Sequence, residues 1–149
     1  MPEADPLVTL PDSDHQYHID LAPGELADYI LLPGDPDRTD VIAGMLDDVE
    51  VHRRHREFNS VTGTHKGLRI SVVATGIGAD NVEIVIAEIL AIAGKPPTLI
   101  RIGSCGTLRE DIALGELIVT TGAVRLESMT KYYVEEGYPA VAHYAAVAA

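Results

Sequence analysis

IRIGSCGTL, residues 100–108, runs from an apolar, strand-like segment straight into an arginine, two glycines and two small nucleophilic side chains. A strand that ends in such a turn brings successive backbone N–H groups together, a geometry suited to an anion. Working outward, Thr98 to Ile102 reads as a buried strand, and the segment before it as an amphipathic helix. From Asp80, the apolar residues Val82, Val85, Ile86, Ile89, Leu90 and Ala93 repeat at intervals of three and four until Gly94-Lys95-Pro96-Pro97 stops them. Further upstream, Phe58 to Thr64 and Leu68 to Thr75 flank His65-Lys66-Gly67, the pattern of a β-hairpin feeding a central strand, Ile70 to Ala74, which ends at Gly76-Ile77-Gly78. Tyr29 to Leu32 is another short buried strand closed by Pro33-Gly34, and Asp37 to Leu46 carries Val41, Ile42, Met45 and Leu46 at helical spacing. Downstream, Glu116 to Thr121 reads as a further strand. This alternation predicts an α/β fold: a mixed, largely parallel sheet flanked by helices.

Composition limits what such a fold does. The chain has 149 residues, of which 46% are hydrophobic, enough for one domain with a core. Its 23 acidic and 11 basic residues give a formal charge of −12, which argues against nucleic acid or an anionic membrane as partner. Any anion site is therefore local. The single cysteine, Cys105, excludes an internal disulfide and fits a reducing, cytoplasmic setting. The acidic, proline-bearing start lacks the pattern of a signal peptide, and residues 1–16 read as a loose segment before the domain. Pro139 to Ala149 reads as the start of an alanine-rich helix that stops without a cap, as in a truncated chain.

Three glycine turns follow three predicted strands: Gly34-Asp35-Pro36-Asp37-Arg38, Thr75-Gly76-Ile77-Gly78 and Arg101-Ile102-Gly103-Ser104-Cys105-Gly106. The carboxyl ends of strands in an open α/β sheet form its ligand crevice, so these turns are expected to converge on one pocket. Two of them carry an arginine, whose planar fork of donors suits phosphate. A further basic element, His52-Arg53-Arg54-His55-Arg56, precedes the hairpin. Each signal alone is weak, but together in an acidic protein they favour an oxyanion site.

The motifs GDPDR, HREF, TGIG, RIGSCG and VTTGAVRLES occur in this order, and over roughly residues 17 to 145 the chain resembles the nucleoside phosphorylases of the uridine phosphorylase and hexameric purine nucleoside phosphorylase type. VRLES followed by YPAVAHY leans toward uridine phosphorylase, whereas SCG is closer to the purine enzymes, which leaves the base open. The resemblance makes residues 17–149 the N-terminal part of one such domain. It implies reversible phosphorolysis of a ribonucleoside to free base and ribose 1-phosphate, with inorganic phosphate as co-substrate and no cofactor or metal. By the same resemblance, Gly34, Arg38, Arg101 and Ser104 bind phosphate and Arg56 reaches the phosphate of a neighbouring subunit. His18 likewise reaches the ribose 5′-hydroxyl across a dimer. A homo-oligomer is therefore implied, with a dimer as the minimal unit and a hexamer in part of the family.

The chemistry of that assignment is self-consistent. Cleaving the glycosidic bond builds oxocarbenium character at C1′, and a phosphate fixed beneath the sugar stabilises it and then attacks with little motion, so no protein nucleophile is required. Cys105 accordingly reads as a small packed thiol, and the His52 and His55 pair lacks a third ligand for a metal. Asp35 and Asp37 read as shaping a turn and a helix start, and Arg53, Arg54, Arg69, Arg109 and Arg125 as surface or ion-paired residues. Relatives are typically longer, and the ribose-binding Glu-Met-Glu cluster and the base-binding residues of the family have no counterpart here, so the catalytic residues are unassigned and apolar faces are expected to lie uncovered. Alternative readings are a half-enzyme that needs a separate C-terminal partner, a non-catalytic phosphate- or nucleoside-binding module, and a nucleosidase.

Overall fold

The run Tyr-Ile-Leu-Leu-Pro forms the middle strand of the parallel part of a sheet, in a computed structural model that describes residues 14–149. The expected loose segment 1–16 thus lies, for its first 13 residues, outside the described residues. The chain divides after Gly103 into two compact units. In the first, the elements follow in the order β1 (Tyr29–Pro33), α1 (Pro36–Ala43), β2 (Asp48–His55), β3 (Phe58–His65), β4 (Leu68–Val73), α2 (Ala79–Ile92) and β5 (Thr98–Ile102). The strands form one mixed sheet in the order β2-β3-β4-β1-β5. β1 runs parallel to both its neighbours, with Tyr29 opposite Ile70 of β4 and opposite Thr98 of β5, while β2, β3 and β4 pair antiparallel. The β3–β4 turn is Lys66-Gly67, both with positive φ (51° and 79°), as the tightest hairpins require.

The two helices cover opposite faces. Val85, Ile89 and Ile92 of α2 join Ile19, Leu21, Ile30, Leu32, Phe58 and Val73 in the main core, which realises the apolar periodicity of this helix. α1 packs on β1, β3 and β4. It is tied to Asn59, the residue after Phe58 in β3, whose side chain therefore points to the other face. The connection after β1 leads to one side, toward β4, and that after β4 returns past β1 to β5 on its other side. Such a switch leaves a crevice at the carboxyl ends of the parallel strands.

Several boundaries differ from the sequence expectation. Residues 52–56 are not merely a basic element before a hairpin, because four of the five close strand β2, an edge strand whose alternate side chains face solvent and ion pairs. α1 ends at Ala43 rather than Leu46. Met45 and Leu46 hydrogen-bond only three residues back, to Ile42 and Ala43, so the apolar pattern continues through a turn. β4 ends at Val73, after which the Ala74 and Thr75 amides donate to Asn59 and Pro33.

In the second unit, Ser104–Ala149, the expected strand Glu116–Thr121 is absent. A strand exists through its neighbour, and there only Thr121 finds one, accepting from the Ala142 amide at 3.0 Å. Pairing starts just beyond, between β6 (Gly122–Ala123) and β7 (Ala140–Val141). A 3₁₀ turn (Met129–Tyr132) lies between them. The alanine-rich end forms β7 and then the short helix α3 (Tyr144–Ala148) rather than one helix from Pro139. Leu108, Leu114, Leu117, Leu126 and Tyr132 are all exposed, as expected of uncovered apolar faces.

Candidate phosphate and ribose site

Gly34 follows β1, and its lack of a side chain is used. A Cβ there would lie 2.9 Å from Nη2 of Arg101 and 3.4 Å from the Gly76 carbonyl oxygen, and one at Gly103 would lie 2.8 Å from Nη1 of Arg101. The guanidinium therefore occupies the space that two glycines leave open at the ends of adjacent strands. It is held by carbonyls: Nη1 donates to Leu32 O at 3.2 Å and to Ile102 O. No carboxylate pairs with Arg101 among the described residues. The turn after β4 is drawn to the same end, because the Thr75 amide donates to Pro33 O at 2.8 Å and its hydroxyl to the same oxygen at 3.3 Å. Gly76 has φ 65°, and a Cβ there would meet Nδ2 of Asn81 at 2.9 Å. Gly34, Gly76 and the Arg101–Gly103 part of the third turn thus meet within the first unit, as expected of turns at the carboxyl ends of strands.

Arg38 sits in the first turn of α1, and its guanidinium has no ion pair or hydrogen bond among the described residues. The helix start is built as the sequence indicates. Asp35 is the N-cap and accepts from the Asp37 amide at 3.0 Å, and Pro36 opens the helix. Asn59, which the sequence reading did not single out, locks this start to the sheet. Its amide donates to Pro36 O at 2.9 Å and to Asp40 at 2.8 Å, and its carbonyl oxygen lies 3.2 Å from Nε2 of His52. The Asn59 amide above all, and the charges of Arg54 and His52 after it, hold the Asp40 carboxyl below its ordinary value. An amide side chain between Phe58 and Ser60, in a strand that continues with Val61, is the signal that marks it.

His18 and Arg56 form a second group, joined through Tyr17. Arg56 stands at the β2–β3 turn with φ 53°, donates to the Tyr17 hydroxyl at 2.8 Å and lies 4.9 Å from the ring centroid. The Tyr17 ring meets His18 edge-on, with centroids 4.9 Å apart. Nδ1 of His18 lies 2.6 Å from Oε1 of Glu88, and the same carboxylate accepts from the amides of His18 and Ile19. Glu88 was also missed, although an acid beside Val85, Ile89 and Ile92 on the apolar stripe of α2 is visible in the spacing. Among the described residues, no hydrogen bond or ion pair joins this group to Arg101.

Ser104 belongs to the second unit and is exposed. Cys105 is exposed as well, which corrects its reading as a packed thiol, for it lies in a stretch without helix or strand. His52 and His55 lie on opposite faces of β2, where His52 faces Asp40 and Asn59 and His55 donates from Nδ1 to His18 O at 3.1 Å. Among the described residues no three His, Cys, Asp or Glu side chains are grouped to hold a metal ion, and no helix is long and apolar enough to cross a membrane. Arg53 pairs with Glu25, Arg54 with Asp37, Arg69 with Glu50 and Arg109 with Asp111, while Arg125 donates to Tyr138 O.

The chain is similar to known nucleoside phosphorylases in sequence and in fold. A uridine phosphorylase of Thermococcus kodakarensis is 46% identical over 127 residues, covering 85% of this chain and 45% of its own length. A guanosine phosphorylase of Halorubrum lacusprofundi is 34% identical over 132 residues, covering 89% of this chain and 54% of its own. The chain thus spans about half the length of these relatives. The crystal structure of uridine phosphorylase from Vibrio fischeri superposes with a TM-score of 0.85 at 35% identity, over 93% of this chain and 57% of that one. The sequence profile of the phosphorylase superfamily matches residues 28–149, and the chain belongs to that family.

Proposed function

We propose that the protein serves in reversible phosphorolysis of ribonucleosides, giving free base and ribose 1-phosphate, with inorganic phosphate as co-substrate and no cofactor. The observation that carries this reading is Arg101, a guanidinium without a carboxylate partner, set between Gly34 and Gly103 at the carboxyl ends of parallel strands. In this reading Arg101 and Arg38 bind the phosphate, the Gly34 turn lets it approach, and Ser104, three residues along the chain from Arg101, adds a hydroxyl. His18 and Arg56 form a separate group, which supports their service to a neighbouring subunit of a homo-oligomer. The substrate is a nucleoside, uridine first, and purine nucleosides second because a guanosine phosphorylase is among the relatives. A cytoplasmic place follows in the same reading.

Phosphate held beneath the ribose lowers the barrier by proximity and by charge as the sugar becomes cationic. The test is release of ribose 1-phosphate from uridine and, separately, from inosine, with phosphate varied. Phosphate-dependent release is expected once the ribose- and base-binding residues that have no counterpart in these 149 residues are supplied, since these residues carry mainly the phosphate half-site. Release of free ribose at a rate independent of phosphate would replace this reading with hydrolysis, and phosphate binding without turnover would leave a binding module.

A further inference from the structure

Glu88 makes more contacts with the 17–19 turn than a helix surface residue needs. Its side chain is only 13% exposed, and its two oxygens accept from the His18 amide at 3.1 Å each and from the Ile19 amide at 2.9 Å. The fourth contact, 2.6 Å to Nδ1 of His18, is the shortest. Backbone amides only donate, so the carboxylate here is an acceptor and Nδ1 must carry the proton. His55 closes the turn from the other side, donating to the His18 carbonyl, and Tyr17 and Phe58 meet the imidazole edge-on. The ring is thereby fixed in place, while Nε2 has no hydrogen-bond partner among the described residues and the side chain remains 30% exposed.

We infer that Glu88 is a positioning residue that holds His18 in its Nδ1–H form and so presents a bare Nε2 as acceptor for a hydroxyl of the bound sugar. The inference rests on the nucleoside reading above. A neutral imidazole has one donor and one acceptor nitrogen, and the partner of the first decides the role of the second. Such a site selects a ligand that offers a hydroxyl proton at this point. It disfavours one that offers a methoxy group or hydrogen, because the acceptor is then left unpaired.

The experiment is ring-nitrogen NMR of the full chain, with the His18 signals assigned from His18→Gln, above the pH range in which histidine titrates. A protonated Nδ1 and a bare Nε2 are expected. Glu88→Gln, which keeps the size and can still accept the turn amides, is expected to give a mixture of the two neutral forms, because its amide group also donates. Wild-type His18 protonated on Nε2 would overturn the inference, as would an unchanged Nδ1–H form in Glu88→Gln. Adding uridine and 5′-deoxyuridine separates the two levels. A shift of Nε2 with uridine alone supports the whole inference. If the tautomer follows Glu88 but neither ligand moves Nε2, the nucleoside reading of His18 fails while the assignment of its proton stands.

Discussion

Arg101 is anchored by backbone carbonyls, so its charge is oriented without being neutralised, and in a protein of net charge −12 that leaves a local attraction for an anion. Arg101→Ala is expected to abolish any rise in melting temperature produced by phosphate, and an unchanged rise in a thermal shift assay would remove Arg101 from the site. Gly34→Ala tests the same cradle more gently. Its methyl group would press on the far end of a flexible side chain, at 2.9 Å from Nη2, rather than on backbone. The melting temperature without phosphate is expected to stay close to wild type while the phosphate-induced rise shrinks. At another residue, the Arg53 guanidinium beside Glu25 holds that carboxyl below its ordinary value. Its stabilisation is therefore complete above the ordinary carboxylate value and is lost as pH falls through the lowered one. Glu25→Gln should flatten the acid limb of a stability-against-pH curve measured by urea unfolding.

At the scale of elements, the β2–β3 pair depends on Gly63. A Cβ there would lie 2.1 Å from the Asp48 carbonyl oxygen, beside the register shift between Val49 and Val51, and neither backbone has room to yield. Gly63→Ala is expected to cost about 3 kcal/mol, at the upper end of overpacking, as measured by chemical denaturation. The sequence made the buried elements legible. The α2 stripe is legible nearly to the residue, because burial on a fixed face imposes a period. The bounds of Thr98–Ile102 are legible too, but it is an edge strand whose Leu99 and Ile102 are only half-buried and whose other residues are exposed, which corrects the expectation of a buried strand. β2 escaped notice because an edge strand rich in arginine and histidine satisfies its polar side chains by pairing with Glu25, Asp37 and Asp40, partners that lie far away in sequence. The converse holds at Glu116–Thr121, where apolar composition suggests a strand but only its last residue finds a neighbour in its unit. Likewise Arg101 and Gly34 were legible as turn chemistry, whereas Glu88 and Asn59 act through contacts about 70 and 20 residues away in sequence.

For the molecule as a whole, exposed leucines and tyrosines in the second unit and an acidic surface pull in opposite directions. Apolar side chains favour association, and like charge opposes it until salt screens it. Purified protein is expected to sediment as a species larger than 16.0 kDa, with the larger form gaining as salt is raised, and a salt-independent monomer would contradict this. The switch in strand order has a kinetic side as well. β1 has neighbours that arrive from residues 70–72 and 98–102, and Arg101 reaches its carbonyl at Leu32 only when the later of them, β5, has docked. The anion cradle is thus among the last features to form, after the local hairpin around Lys66-Gly67, since contacts distant in sequence carry the larger loop-closure cost. Phosphate would then act as a reporter of completed assembly: binding only the closed sheet, it would slow unfolding more than it speeds folding.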